Sequence, residues 1–249
     1  RYRFYNSKGL VLISFFVFIL GLGAYFYFMK PLRNSIALFL MSKGGDYLYT
    51  TAYDPVKAGR FFGWALKFNP EVQHGSFELA KAYMIQDNLD DALEEINKEI
   101  ARYPAFSRAY YVRGLIYGFG GEPEKAEDDF KKVLEIDPED ANPTKWAAYN
   151  DLAWVQFVLG KYKEVEKTAL AGLQSYPANP WLLNSLGLAL LNLDKKKEAH
   201  AMLELALVKA EQLTEEEVIR AYPILDPRDA LPRKRGIIDT IRFNVVLAL

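Results

Sequence analysis

The hydrophobic positions of this 249-residue chain follow two patterns. The first is an unbroken uncharged run from Leu10 to Met29, LVLISFFVFILGLGAYFYFM. At about 1.5 Å per residue, a helix of that length crosses a hydrocarbon core of roughly 30 Å. The run therefore predicts a transmembrane helix over 10–29, with Tyr25 and Tyr27 near one end, where amphipathic rings favour the interface. A secretory signal would have a shorter apolar core and a small-residue cleavage site; here Lys30-Pro31-Leu32-Arg33 follows instead. Residues 1–9 form a short basic flank with Arg1, Arg3 and Lys8. The chain opens on Arg1 and not on Met, which points to residues upstream. Residues 30–45 read as a juxtamembrane linker or helix: Pro31 ends the span or starts a new helix, Asn34 to Met41 is apolar, and Gly44-Gly45 breaks or bends it.

The second pattern begins near residue 46. Short apolar blocks alternate with turn residues, and three residue types recur at a step of 34: Pro70, Pro104 and Pro138; Ala58, Ala92 and Ala126; Tyr49, Tyr83 and Tyr117. A period in this range marks stacked supersecondary units. The first unit is partial, with a first helix around 46–53 that carries Tyr49 and a second with Pro55, Ala58, Phe62 and Ala65 before Pro70. The second runs from about Gln73 to Tyr103 through Leu79-Ala80, Tyr83, Ala92 and Ile96. The third reads Tyr110, Gly114, Tyr117, Ala126, Phe130, Val133 and Pro138, with Gly120-Gly121 as its turn. The next Pro in phase is Pro177, which overshoots the step by five, and the excess falls in 139–144. The fourth unit then reads Tyr149, Leu152-Ala153, Val165, Ala169 and Gly172; the fifth reads Leu186-Gly187, Leu190, Ala199, Leu203 and Ala206 without a closing Pro. Small residues stand where two helices touch, and large ones fill the gaps beside them. No unit buries its apolar face alone, so neighbours must stack.

In that order these positions resemble the tetratricopeptide repeat, a helix–turn–helix unit of the same period, over 46–211. The departures are Glu99 where the family has Ala, Arg113 where it has Leu, and Gln156 where it has Tyr. The resemblance implies an all-α fold, a right-handed superhelical solenoid of about five helix–turn–helix units, here preceded by one transmembrane helix. It also implies a concave groove lined by the first helices. The groove positions are Phe77, Lys81 and Met84 in the second unit and Arg108, Tyr111, Leu115 and Phe119 in the third. The fourth supplies Asn150, Trp154 and Phe157, the fifth Trp181, Asn184, Leu188 and Asn192. Some members of the family grip a C-terminal carboxylate with paired Lys, Arg and Asn; with Lys81 and Arg108 as the basic residues, that clamp is not reproduced. An apolar groove suits an amphipathic helix or an extended hydrophobic segment. Two occupants stay open: a segment of another protein, or the chain's own C-terminal tail or anchor-side helix.

Residues 212–249 read as a capping helix and tail. Thr214 and Glu217 have the spacing of a capping box. Pro223, Pro227 and Pro232 break the chain that follows, and the basic cluster Pro232 to Arg235 reads as a solvated turn. The amphipathic tail from Ile237 to Leu249 is too short and too charged to span a bilayer; it suits a solenoid cap or a docking helix.

Composition narrows the chemistry. A net charge of −1 makes no electrostatic case for nucleic acid. The absence of Cys excludes thiolate zinc sites, disulfides and a Cys nucleophile. His74 and His200 stand in no metal-site spacing, and Asp87 to Asp91 has the composition of a calcium loop without its central Gly or closing Glu. Acid pairs such as Asp128-Asp129 read as exposed. There is neither a phosphate-binding Gly loop nor a Gly-x-Ser-x-Gly elbow. No catalytic, cofactor or metal site is therefore expected, and the protein is not read as an enzyme. The combined expectation is a single-pass membrane-anchored scaffold or adaptor, in contact with the bilayer through 10–29 and with its repeats on the extracytoplasmic (periplasmic) side. It would bind protein partners, other subunits of a membrane complex, through the apolar groove and so assemble or stabilise that complex. Two alternatives come from other classes: a constitutive structural subunit of a large respiratory, photosynthetic or motor complex, and an accessory chaperone for envelope clients.

Overall fold

The structure, a computed structural model, describes residues 7–136, 145–221 and 226–249; at 7–14, 22, 24–26 and 28 the backbone is described without the side chains. Among the described residues every regular element is helical. A long helix α1 (Ser7–Tyr49) and α2 (Pro55–Phe68) form the first hairpin. Four more follow: α3 (Gly75–Ile85) with α4 (Leu89–Arg102), α5 (Ser107–Phe119) with α6 (Pro123–Ile136), α7 (Lys145–Val158) with α8 (Tyr162–Ser175), and α9 (Pro180–Asn192) with α10 (Lys196–Gln212). Then come α11 (Glu215–Ala221), a 3-10 turn (Pro227–Asp229) and α12 (Ala230–Leu247). From α1 to α10 each helix packs on its neighbours in sequence, which makes a solenoid of hairpins. The five-residue slip in the repeat lies within 137–144, outside the described residues.

The hairpins repeat because their turns repeat. In the second to fifth, three residues join the two helices, and the middle one is left-handed: Asp87 (φ 60°), Gly121 (φ 75°), Gly160 (φ 71°) and Asp194 (φ 60°). Gly and Asp are among the few residues that visit this region readily. The next backbone N–H then reaches back five residues: Asn88 to Tyr83 O at 3.0 Å, Glu122 to Tyr117 O at 2.8 Å, Lys161 to Gln156 O at 2.9 Å and Lys195 to Leu190 O at 2.9 Å. This is the Schellman closure of a helix C-terminus, and it aims every second helix back along the first. Helix starts are equally local. Asp54 and Asn179 accept from the N–H groups of Lys57 (2.9 Å) and Leu182 (3.0 Å), with Pro55 and Pro180 in the first turn.

Within a hairpin a small residue on the first helix admits a large one from the second. A Cβ on Gly114 would stand 2.7 Å from Phe130 Cε1, and one on Gly187 2.5 Å from Leu203 Cγ. Both pairs share one sequence separation. In the first hairpin the equivalent contact joins Gly44 and Phe62, two positions further apart. Its turn, Thr50 to Asp54, is two residues longer than the others. The expected first helix around 46–53 is thus displaced: it is the end of α1. Tyr47, three residues after the small one, takes the place of Tyr83 and Tyr117 and stacks on Phe61 at 5.7 Å. The longer turn restores the 34-residue step for Ala58, and Tyr49 meets that step by coincidence.

Three expectations about the N-terminal region change. Pro31 lies inside α1 and does not end it. Gly44-Gly45 does not break it either, because packing of Gly44 on Phe62 outweighs a helix-propensity deficit of about 1 kcal/mol per Gly. The anchor over 10–29 is corrected as well: among the described residues no helix is long and apolar enough to cross a membrane. The segment is not a separate span. It is the outer part of one 43-residue helix whose other end builds the first hairpin. The side chains at 10–14, 22, 24–26 and 28 fall outside the described residues. The single-pass placement, with the repeats on the extracytoplasmic side, falls with the anchor.

Buried polar groups account for the departures from the repeat pattern. Arg113 forks onto Asp129, Nε and Nη2 each donating at 2.7 Å, and reaches Asn97 at 2.9 Å. Asp129, expected on an exposed face, is therefore 5% exposed. Gln156 bridges Glu127 (3.4 Å) and Thr168 (2.8 Å), and Lys161 caps Glu127 at 2.6 Å. Glu99 is buried, with one oxygen 2.7 Å from His74 Nδ1; the His74 ring stacks on Phe106 at 4.3 Å.

At the C-terminal end, α11 opens on the expected capping box: Thr214 Oγ1 accepts from Glu217 N–H at 3.2 Å, and Glu217 Oε2 from Thr214 N–H at 2.7 Å. Pro232 to Gly236 are not a solvated turn but the first turns of α12. That helix lays Ile241 on Leu183, Ala206 and Ala210, and Val245 and Ala248 on Leu186, Leu190 and Leu203. It occupies the place a first helix of a sixth unit would take. Tyr53, in the first hairpin's turn, has its pKa raised by burial and then by Asp226 and Asp229, with Arg233 opposing. Asp226, Asp229 and Arg233 thus lie near the turn of the first hairpin.

Candidate functional site: a groove on the first helices

The first helices present two cavities. The more apolar one, about 600 Å³, is walled by α3, α5 and α7, with Tyr49 from α1 and Ala221 from α11 at its edges. The other, about 610 Å³, lies between α7, α9 and the inner face of α12. Of the groove residues expected from sequence, Phe77, Lys81, Met84, Arg108, Tyr111, Leu115 and Phe119 line the first cavity. Trp154, Phe157, Asn184 and Leu188 line the second, and Asn150 and Trp181 belong to both. Asn192 lines neither; at the end of α9, it donates to Leu188 O at 2.9 Å. Phe119 (69% exposed) and Trp154 (51%) are large apolar side chains left open to solvent inside a concavity, an arrangement that marks an interaction surface more than an isolated exposed ring does.

The polar groups are concentrated at defined points. Lys81 is 3% exposed. Its ammonium donates to the Tyr49 hydroxyl and, at 3.2 Å, to Glu78, and the Tyr49 hydroxyl donates to Glu78. Burial pulls the Lys81 pKa down and Glu78 pulls it back up; burial and then Glu78 hold the Tyr49 phenol well above its usual range. Lys81 also lies over the Tyr49 and Phe77 rings, at 4.5 and 4.9 Å from their centroids. Arg108 lies over Phe77 at 5.4 Å. On the opposite wall, the Asp151 carboxylate accepts from Tyr111 Oη at 2.7 Å and from Asn150 Nδ2 at 3.2 Å. Burial raises its pKa to about 6, against those two hydrogen bonds. Asn184 accepts from Asn244 of α12 at 2.9 Å, which ties the cap to the groove floor.

Sequence reasoning did not name Tyr49, Trp146 or Asp151 as groove residues, and it offered the C-terminal tail as a groove occupant without naming the α12 residues that line the second cavity. Tyr49 was assigned to the core by the ruler, and the longer first turn frees it for the groove. Asp151 sits one residue beyond a groove position, with no pattern to single it out. The inner face of α12 (Arg233, Gly236, Thr240, Asn244) lies outside the repeat and joins the groove through the path of the chain. Among the described residues no group of three or more His, Asp or Glu side chains could hold a metal ion. What the geometry offers is apolar area with a few placed charges, the chemistry of binding a polypeptide segment.

The fold and the groove define a helical-repeat protein of the kind that works through its surface. The family model "Tetratricopeptide repeat" matches residues 107–140, which are α5, α6 and the start of the following loop. The chain thus carries a tetratricopeptide repeat at these residues. It is 27% identical over 119 residues to an Hsp70-Hsp90 organizing protein of Triticum aestivum, a stretch that covers 48% of this chain and 20% of that relative. It is 26% identical over 119 residues to Hsp70-Hsp90 organizing protein 2 of Arabidopsis thaliana, with the same coverage. The chain thus spans about a fifth of the length of the curated relatives it matches. Among solved structures it is similar to PilW, described as a widely conserved type IV pilus biogenesis factor (TM-score 0.63, 17% identity, 84% of this chain and 93% of that one). It also resembles MamA (TM-score 0.58, 23% identity, 65% and 92%) and pilF of Pseudomonas aeruginosa (TM-score 0.63, 15% identity, 87% and 96%). These last three likenesses are of fold. None of these names is that of an enzyme.

Proposed function

We propose that the protein is a scaffold that holds segments of partner proteins in the concave groove and thereby assembles or stabilises a multi-protein complex. The observation that carries this reading is the set Leu115, Phe119, Trp154 and Leu188, contributed by three successive first helices and lining the two cavities, with Phe77 and Met84 buried behind them. A preformed groove has less conformational entropy to lose when it presents these side chains, which leaves a larger surplus of burial energy as affinity. The names of the curated relatives, which speak of organizing two other proteins, support the same class of action. The test is photo-crosslinking in the native cell with reactive residues in place of Tyr111, Trp154 and Trp181. The expected result is one partner captured from all three positions, with crosslinks on one contiguous segment of it. Capture confined to the chain's own α11 and α12 would overturn the reading.

A further inference from the structure

Asp151, which shares the more apolar cavity with the acid Asp87, makes no ion pair with the cations that line it. Its two hydrogen-bond donors, Tyr111 Oη and Asn150 Nδ2, are both neutral, whereas an ionised carboxylate offers about four acceptor sites. The neighbouring cations are directed elsewhere. On α5, Arg108 turns onto the Phe77 ring. On α3, Lys81 is engaged by Tyr49 and Glu78. On α6, Glu127 and Asp129 are the acids that take Lys131, Lys161 and Arg113. On α7 itself, Lys145 is buried at the helix start, and α9 carries no charge. The burial that raises the Asp151 pKa to about 6 has no compensating cation among its causes.

Aromatic rings line the same cavity as this acid. Trp146 and Trp181 stack with ring centroids 4.9 Å apart, and both line the same cavity as Asp151. A carboxylate and indole rings lining one cavity suit a guanidinium: the acid takes its charge and its paired N–H donors, and the rings take its flat apolar faces. The rest of the wall, Phe77, Met84, Leu115 and Phe119, suits apolar side chains.

We propose that the groove selects an apolar partner segment carrying one basic side chain, arginine above lysine, whose guanidinium seats on Asp151 beside Trp146 and Trp181. This rests on the groove reading above and adds the charge that the partner must bring. The cation completes a pair that the chain leaves open, so the bound form requires Asp151 ionised. Protonation competes with the ligand: as pH falls below about 6, affinity for a basic segment drops by roughly tenfold per unit.

The test uses three labelled peptides of one apolar sequence with a central Arg, citrulline or Glu, titrated into the full chain by fluorescence anisotropy. The Arg peptide is expected to bind wild type roughly tenfold more tightly than the citrulline peptide near neutral pH. That preference should shrink on acidification towards pH 5 and disappear in Asp151→Asn. The pH profile of wild type keeps the proposal testable if that variant does not fold. Equal binding of the three peptides by wild type overturns the proposal and leaves the groove reading in place. A Phe119→Ala variant separates the two, because it should weaken all three peptides alike. No binding of any peptide at millimolar concentration overturns both.

Discussion

Alanine at Gly44 would press a Cβ onto Phe62 Cε1 and place it 2.6 Å from Cδ1 and 2.8 Å from Cζ. Ordinary carbon contacts begin near ~3.5 Å, so the ring would have to retreat by about 1 Å. Phe62 is 1% exposed and packed on every side; overpacking of this kind costs about 1–3 kcal/mol. Gly45 is the internal control. The nearest atom to a Cβ there is Tyr49 Cδ2 at 3.8 Å, so alanine should only gain helix propensity, about 1 kcal/mol. Both positions lie in the same helix and share that gain. The difference between the two variants isolates the clash: Gly44→Ala should be less stable than Gly45→Ala by about 1–3 kcal/mol. Asp46→Ala adds a test of register. The 34-residue ruler puts Asp46 at the small position, whereas in the structure it is exposed and paired with Lys43 at 3.0 Å; its loss should change stability by less than about 0.5 kcal/mol. The assay is equilibrium urea unfolding followed by circular dichroism, with slopes compared first because repeat arrays can lose cooperativity. Coincident midpoints for Gly44→Ala and Gly45→Ala would refute both the close approach and the displaced register.

Other outcomes follow from the same geometry. Arg113→Leu restores the residue type usual in the family but strands the buried Asp129 carboxylate; it should cost about 3 kcal/mol, and a second change, Asp129→Val, should recover most of it in urea melts. Asp151 has a folded pKa raised from 3.8 to about 6, so the folded state holds its proton more tightly than the unfolded chain. Its contribution is a stability that is full below about pH 4 and is lost as pH rises to about 6, amounting to at most about 3 kcal/mol. Asp151→Asn should therefore be more stable than wild type at pH 7, and the gap should close near pH 4. Thr214→Ala removes one half of the capping box and should weaken α11 by about 1 kcal/mol, read as faster hydrogen exchange at the Glu217 amide. Trp154→Ala, at a half-exposed groove position, should shift stability by less than about 0.5 kcal/mol while it weakens partner capture in the crosslinking assay.

The hairpins were legible because their determinants are local or periodic. Gly121, Gly160 and the Asp-Pro and Asn-Pro helix starts announce turns and first turns in any context. Gly114, Phe130, Gly187 and Leu203 repeat at one spacing because every hairpin solves the same packing problem. The groove positions came from the resemblance to the repeat family laid on that register, and all but Asn192 line a cavity. The first hairpin was misread because a turn two residues longer leaves no mark on the 34-residue step, and because the match at Tyr49 concealed the displacement.

The chain by itself determined that it would fold as stacked helical hairpins. Small-against-large packing and left-handed turn residues depend on neighbours in sequence, so a spacing is enough to read them. Only the tertiary structure decided the rest. It made the apolar N-terminal run part of one helix with the first hairpin, paired Arg113 with Asp129 and Gln156 with Glu127, and carried α12 into the place of a sixth first helix. It also left Asp151 in one cavity with two indoles and with no ion pair of its own. Those outcomes depend on which groups are desolvated together, and desolvation belongs to the packed whole and not to any one segment of it.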